Sequence, residues 1–314
     1  MSVPYFDASQ VRHRAPWRAA VDGLAAALRD GVDPELDGPR IFSPAPGGEF
    51  LLMPASGTRY SGVKALTVAP GNPERGLEKI QGVYVLYSSD TLAPVALMDG
   101  TELTAIRTPA VTLLAITRIL AATPGGAPEC PRVLVFGAGV QALNHLRAAH
   151  ALIPGARLSV VGRSADRVRA LQETLAAEGV GVERASAADV GSADVIICAT
   201  TSTTPLFDGA AVAPDAVVAA VGQHGLDARE VDATLVRRSN VVVEGRASAL
   251  REAGDLIPAR SAEEWLEIRP ANLRDLVVDG IERTPGKPCL YAGVGMAWED
   301  LITASMVYEG GTIP

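Results

Sequence analysis

Gly137, Gly139 and Ala142 stand at the spacing G-x-G-x-x-A, with Val140 and Gln141 between the second glycine and the alanine. That spacing suits a dinucleotide loop. The first glycine permits a tight turn, the second lets backbone approach a pyrophosphate, and the alanine lets a helix pack close on its strand. Free amides and partial positive charge at the start of that helix would face the phosphates. The context supports the motif, because a short apolar run precedes it, a helical pattern follows, and a second apolar run ends about twenty residues later. At the end of that second run stands Gly162-Arg163-Ser164, with Arg167 a turn on. A carboxylate is usual there for a ribose 2′-hydroxyl, whereas arginine pairs with a 2′-phosphate. The expected cofactor is therefore NADP(H), with NAD(H) the alternative. Thr200 and Thr201, after a later strand, are expected to line the nicotinamide side.

The elements that must position these residues are an α/β set. Apolar runs at 132–136, 158–161, 195–198, 216–221 and 241–244 alternate with helical stretches such as 165–178. Such alternation indicates βα units around a buried parallel sheet of the doubly wound Rossmann type. This domain is assigned to residues 119–293. Residues 1–118 differ: turn-rich stretches at 44–48 and 70–76 separate strand-like segments such as 50–53 and 83–87. Asp99-Gly100 reads as a hairpin-type turn. A helix is expected from about Pro109 to Leu120, and an amphipathic one from Trp298 to Tyr308.

Composition narrows the function classes. The 314 residues are 48% hydrophobic and carry a formal net charge of −8, with basic residues scattered. An acidic surface argues against nucleic acid as a partner. No run reaches the roughly 18 uninterrupted apolar residues of a membrane span, and the start of the chain lacks the apolar core of a signal peptide. Cys130, Cys198 and Cys289 form no CxxC pair. They read as reduced thiols in a cytoplasmic protein, with no metal site.

Several segments together resemble the ornithine cyclodeaminase/mu-crystallin family over nearly the whole chain: GVKALTV at 62–68, LMDGTELTAIRTPAV at 97–111, VFGAGVQA at 135–142, AVGQHGLDAREVD at 220–232 and GVGMAWEDLITASMVYE at 293–309. The resemblance implies an α+β first domain that binds substrate and forms a homodimer, with residues 294–314 returning to it. It implies oxidoreductase or cyclodeaminase chemistry at the α-carbon–nitrogen bond of an amino or imino acid. By the same resemblance, Arg40, Lys64 and Arg107 hold the substrate carboxylate, and pocket walls come from loops around Met53, Val83 and Val294, the last also against the cofactor. Arginine suits such an anchor because its fork takes a carboxylate bidentately. Lys64 is also a candidate proton donor to an imine nitrogen if burial lowers its pKa. At His224, true ornithine cyclodeaminases have an aspartate. A neutral histidine there suits general acid/base work and speaks against cyclisation. The leading expectation is an NADPH-dependent imino-acid reductase, or amino-acid dehydrogenase in reverse. The alternatives are an NAD-dependent, ammonia-releasing ornithine cyclodeaminase and a non-enzymatic NADPH-dependent ligand carrier.

Overall fold

The computed structural model describes residues 3–123, 125–222 and 225–311. The expected proton-transfer residue His224 lies outside the described residues. Contacts divide the chain into two compact units, one running through Arg107 and resuming at Met296, the other comprising Thr108–Gly295.

The first unit is built on a six-stranded sheet. Its strands are β1 (Tyr5–Phe6), β2 (Ile41–Ala45), β3 (Gly48–Ser56), β4 (Tyr60–Val68), β5 (Ile80–Ser88) and β6 (Pro94–Asp99), in the order β1-β6-β5-β4-β3-β2. Strands β2 to β6 form an antiparallel meander, and β1 adds in parallel to β6. Burial alternates along β4 and β5, the period-two signature of a sheet with one covered face. Pro44, expected in a turn, instead lies in β2, where an edge strand tolerates its missing N–H. Helices α1 (Ala8–Arg14) and α2 (Trp17–Arg29) precede the meander.

Helix α3 (Gly100–Ala121) starts nine residues earlier than the expected Pro109. The Asp99-Gly100 pair is therefore a helix start and not a hairpin turn: the Asp99 carboxylate accepts the Glu102 amide at 2.8 Å, as an N-cap does. Pro109 sits inside the helix, which continues through it. By length and mean hydropathy (1.4) α3 could cross a membrane, but 78% of its apolar window is buried within the protein, which accounts for that composition.

The second unit carries an eight-stranded, fully parallel sheet. Its members are β7 (Arg132–Phe136), β8 (Arg157–Val161), β9 (Val182–Arg184), β10 (Val195–Cys198), β11 (Val217–Ala220), β12 (Asn240–Val243), β13 (Ala271–Asn272) and β14 (Cys289–Ala292), ordered β13-β12-β14-β11-β10-β7-β8-β9. Helices α4 (Val140–Leu152) and α5 (Ala165–Ala177) connect β7 to β8 and β8 to β9. Shorter helices follow at α6 (Ala233–Arg238), α7 (Arg246–Glu252), α8 (Ala262–Ile268) and α9 (Leu273–Val278). Every residue of β10, β11 and β14 is buried, as expected of strands covered on both faces. The chain reverses its direction of travel across the sheet between β7 and β10. A ligand binds at the strand ends beside such a switch point. The last helix, α10 (Ala297–Tyr308), belongs to the first unit and packs on α2 and on β3, β4 and β5.

Candidate functional site

In the first unit, sheet register places four buried residues side by side. Met53 on β3 pairs with Lys64 on β4, Lys64 with Tyr84 on β5, and Tyr84 with Met98 on β6. They lie on the face that α10 covers. Met53 and Val83 are in strands rather than in loops, and their side chains point to opposite faces because they occupy adjacent register positions of opposite parity. Met53 packs with Leu51, Leu66 and Ala297 in a small core cluster, whereas Val83 is exposed.

Lys64 is wholly buried, and its ammonium donates to Asp300 Oδ2 at 2.6 Å. The other carboxylate oxygen of Asp300 accepts from Arg107 Nε at 3.2 Å, and Arg107 Nη1 donates to Glu299 Oε2 at 2.9 Å. All four side chains are buried or nearly so. Glu299 and Asp300 are brought there by the first turn of α10, whose start is secured from outside the helix. The Asp37 carboxylate accepts the Ala297 and Trp298 amides at 2.9 and 3.1 Å. Burial lowers the Lys64 pKa to about 8; the Arg107 charge and more weakly that of Arg40 push the same way, and Asp300 resists. Arg40 is half-buried and thus belongs electrostatically to the same group. The structure brings together the three cations expected from sequence, together with two carboxylates that were not expected.

Tyr84 also went unnoticed in the sequence. Its hydroxyl is buried with no hydrogen-bond partner among the described residues. Burial raises its pKa well above the usual phenol value, with the charges of Asp300 and Asp37 adding to the effect, so it stays protonated. The ring lies across Gly62, where any Cβ would collide with the Tyr84 hydroxyl and come within 2.6 Å of its Cε1.

In the second unit the dinucleotide loop follows β7. Gly137 has φ +124, and a Cβ there would stand 2.5 Å from the Ala199 carbonyl oxygen, so glycine is required on both counts. Ala142 is wholly buried where α4 meets the strand. A Cβ on Gly139, by contrast, would meet nothing within 4 Å. Gly139 is the N-cap of α4 without a side-chain cap, and Val140 is exposed. Open space over a helix start with no side chain folded across it is what a pyrophosphate needs. The residues therefore fit the group. Arg163 and Arg167 are exposed and, among the described residues, make no ion pair. Ser164 caps α5 by accepting the Arg167 amide at 3.3 Å. Val294 is buried in the core of this unit, and its amide donates to Glu244 Oε2 at 2.9 Å. Its side chain and its amide are thus both taken up inside the protein, which does not support the expected place against the cofactor.

The loops after β10 and β11 are tied together by Glu230. Its Oε1 accepts from the Thr200 amide at 2.6 Å and the Thr200 hydroxyl at 2.7 Å, while Oε2 accepts from the Gly222 amide at 2.8 Å. Asp255 in turn accepts the Glu230 and Val231 amides at 2.7 and 3.1 Å. Burial pushes the Glu230 carboxyl up to about 7 against the pull of its donors, and Asp255 up to about 6. Thr201, next to Thr200, is exposed at the strand end. Among the described residues no cluster of His, Cys, Asp and Glu could hold a metal ion.

The family model of the ornithine cyclodeaminase/mu-crystallin family matches residues 9–312. A Delta(1)-pyrroline-2-carboxylate/Delta(1)-piperideine-2-carboxylate reductase of Azospirillum brasilense is 35% identical over 302 residues, covering 95% of this chain and 93% of that protein. The mouse ketimine reductase mu-crystallin is 30% identical over 265 residues, covering 83% and 80%. Among solved structures, the Thermococcus litoralis Delta(1)-pyrroline-2-carboxylate reductase in complex with NADH and L-proline is 25% identical. It superposes with a TM-score of 0.83 over 98% of this chain and 97% of that one.

Proposed function

Because the chain belongs to the ornithine cyclodeaminase/mu-crystallin family, we propose that it is an NAD(P)H-dependent oxidoreductase acting on the carbon–nitrogen bond of an α-imino acid, with amino-acid dehydrogenation as the reverse reaction. The substrate class is that of the Azospirillum relative, small cyclic imino acids with a carboxylate on the imine carbon. The observation that carries this reading is the buried pair Lys64 and Arg107. Both are buried beside Asp300 and Glu299, and Lys64 keeps ammonium N–H bonds that no described residue accepts, which leaves donors for a substrate.

The chemistry supplied by a bound reduced nicotinamide is hydride donation to the imine carbon. This chain's residues do the rest. Arg107 and Arg40 hold the carboxylate, which fixes the α-carbon and spares the reaction an orientational cost. Lys64, with a pKa near 8, holds a proton at Nζ that it can pass to the imine nitrogen near neutral pH. His224 is assigned to the same proton traffic. Met53, beside Lys64 in the sheet, supplies an apolar wall. Gly137, Gly139, Val140 and Gln141 at the start of α4 would cradle the pyrophosphate, with Ala142 packing the helix close on its strand. Thr200 and Thr201 would line the nicotinamide side.

The preferred cofactor in this proposal is NADP(H). Arg163, Ser164 and Arg167 stand where an acidic residue would favour NAD(H), and the two arginines are uncommitted to acidic neighbours. The first unit is the substrate-binding and dimerisation part, the second the cofactor-binding part. A homodimer is supported by the sheet face opposite α10, where Ile41, Phe50 and Val83 are exposed. An apolar sheet face left open to water marks an interface.

The test is NADPH oxidation by purified protein with five- and six-membered cyclic imino acids and with keto acids plus amines. Turnover with at least one is expected. Ammonia and proline formed from ornithine would instead assign the chain to cyclodeamination.

A further inference from the structure

Lys64 is the group whose surroundings are most fully specified. Its ammonium has three N–H bonds to give, and among the described residues one goes to Asp300 and none of the others is used by protein. The charged and titratable groups facing it come from every element packed around it. They are Arg107 from α3, Asp300 from α10, Arg40 from the segment before β2, and the neutral phenol of Tyr84 from β5. Three cations thus crowd one place. Arg107 has a second carboxylate in Glu299, so it does not depend on Asp300 for its counter-charge. Lys64 does. Asp300 is itself wholly buried and placed by a helix whose first amides are locked onto Asp37.

We propose that Asp300 is a positioning residue for imine reduction: its shared carboxylate fixes the Lys64 ammonium in place, separates it from Arg107, and supplies the negative charge that keeps it protonated between turnovers. The proton that leaves Lys64 for the imine nitrogen is replaced from solvent, and Asp300 is unchanged at the end of the cycle. This rests on the reading of Lys64 as proton holder.

A neutral amide at position 300 leaves Lys64 beside Arg107 and Arg40 without a counter-charge. The sign is fixed by the site: Asp300 raises the Lys64 pKa, so its loss lowers it. The alkaline limb of the kcat profile, expected near pH 8 in the wild type, moves to lower pH in Asp300→Asn. At neutral pH kcat falls about 30-fold or more, while KM for the imino acid is unchanged or lower, because a competing anion has been removed. A purely structural role would lower the melting temperature and raise KM without moving the limb. Asp300→Glu retains the charge but displaces it by one methylene, so its limb stays at the wild-type pH while kcat falls. If Asp300→Asn does not fold, Asp300→Glu alone decides, since a wild-type kcat in that variant overturns the positioning role. An unmoved limb in folded Asp300→Asn also overturns the proposal. Lys64→Met separates the two levels: if it turns over normally, the assignment of Lys64 fails. If it is inactive and the Asp300→Asn limb does not move, only the role of Asp300 fails.

Discussion

Arg107 holds two carboxylates through different nitrogens of one guanidinium, a geometry lysine cannot reproduce. Arg107→Lys is therefore expected to reduce kcat/KM for the imino acid by about 100-fold, chiefly through KM. Cofactor affinity, read by fluorescence titration, should not change. A drop in cofactor affinity of similar size would mean that Arg107 serves general architecture instead. At Arg163 the expected effect is on selectivity. Arg163→Asp should shift the NADPH-to-NADH ratio of kcat/KM towards NADH by at least about tenfold, as a carboxylate repels a 2′-phosphate and accepts from a 2′-hydroxyl. An unchanged ratio would place the selectivity elsewhere. Lys64 and Arg107 were legible because they are the basic residues of the family-like segments 62–68 and 97–111, whereas Arg40 lies outside every such segment. Their partners were not: Glu299 and Asp300 lie 192 and 236 residues from Arg107 and Lys64, respectively, and only the folded sheet and helix make them neighbours. Tyr84 was hidden for another reason. It stands in the unbroken apolar run Val83–Tyr87, which does not tell the covered face from the open one and says nothing of a hydroxyl that lacks a partner.

Among the elements, β7, β8, β10, β11 and β12 with helices α4 and α5 followed from apolar runs and the glycine loop, because a buried strand and a nucleotide turn each leave a local signature, whereas β9, β13 and β14 did not. The start of α3 did not. Asp-Gly serves a hairpin turn and a helix N-cap alike, and tertiary packing of β6 decides between them. The tie between the β10 and β11 loops was equally invisible, since Glu230 looks like one more acidic residue of a loop segment. Removing that tie with Glu230→Gln sets an amide N–H2 against a backbone donor, so at pH 8 cofactor affinity should weaken by about tenfold. The pH dependence has a definite sign. The folded-state pKa of Glu230, about 7, exceeds its ordinary value of 4.5. Protonation therefore favours the fold, and that contribution is lost as pH rises from about 4.5 through about 7. Thermal unfolding of wild type and Glu230→Gln across pH 4–8 should show the variant gaining relative stability over that window. A constant difference would contradict the raised pKa. On β4, Gly62→Ala forces a methyl into the Tyr84 ring and should destabilise the protein by about 1–3 kcal/mol in chemical denaturation.

For the whole molecule, the sheet of the first unit uses one face for Lys64 and its neighbours and leaves the other open at Ile41, Phe50 and Val83. If that open face joins two copies, Phe50→Glu should halve the mass seen by light scattering while leaving the far-ultraviolet dichroism intact. A monomeric wild type would contradict the dimer. The contrast between alternating apolar runs and a turn-rich first part gave the two-part α/β organisation, but the strongly apolar α3 is explained only by its burial. The account stands or falls on the steady-state reduction of Δ1-pyrroline-2-carboxylate by NADPH, measured in parallel for the wild type and Lys64→Met. The wild type is expected to turn over, and Lys64→Met to lose about 100-fold or more in kcat with its NADPH affinity unchanged. A wild type that oxidises no NADPH with this or the six-membered imino acid, or a Lys64→Met variant as fast as the wild type, would contradict it.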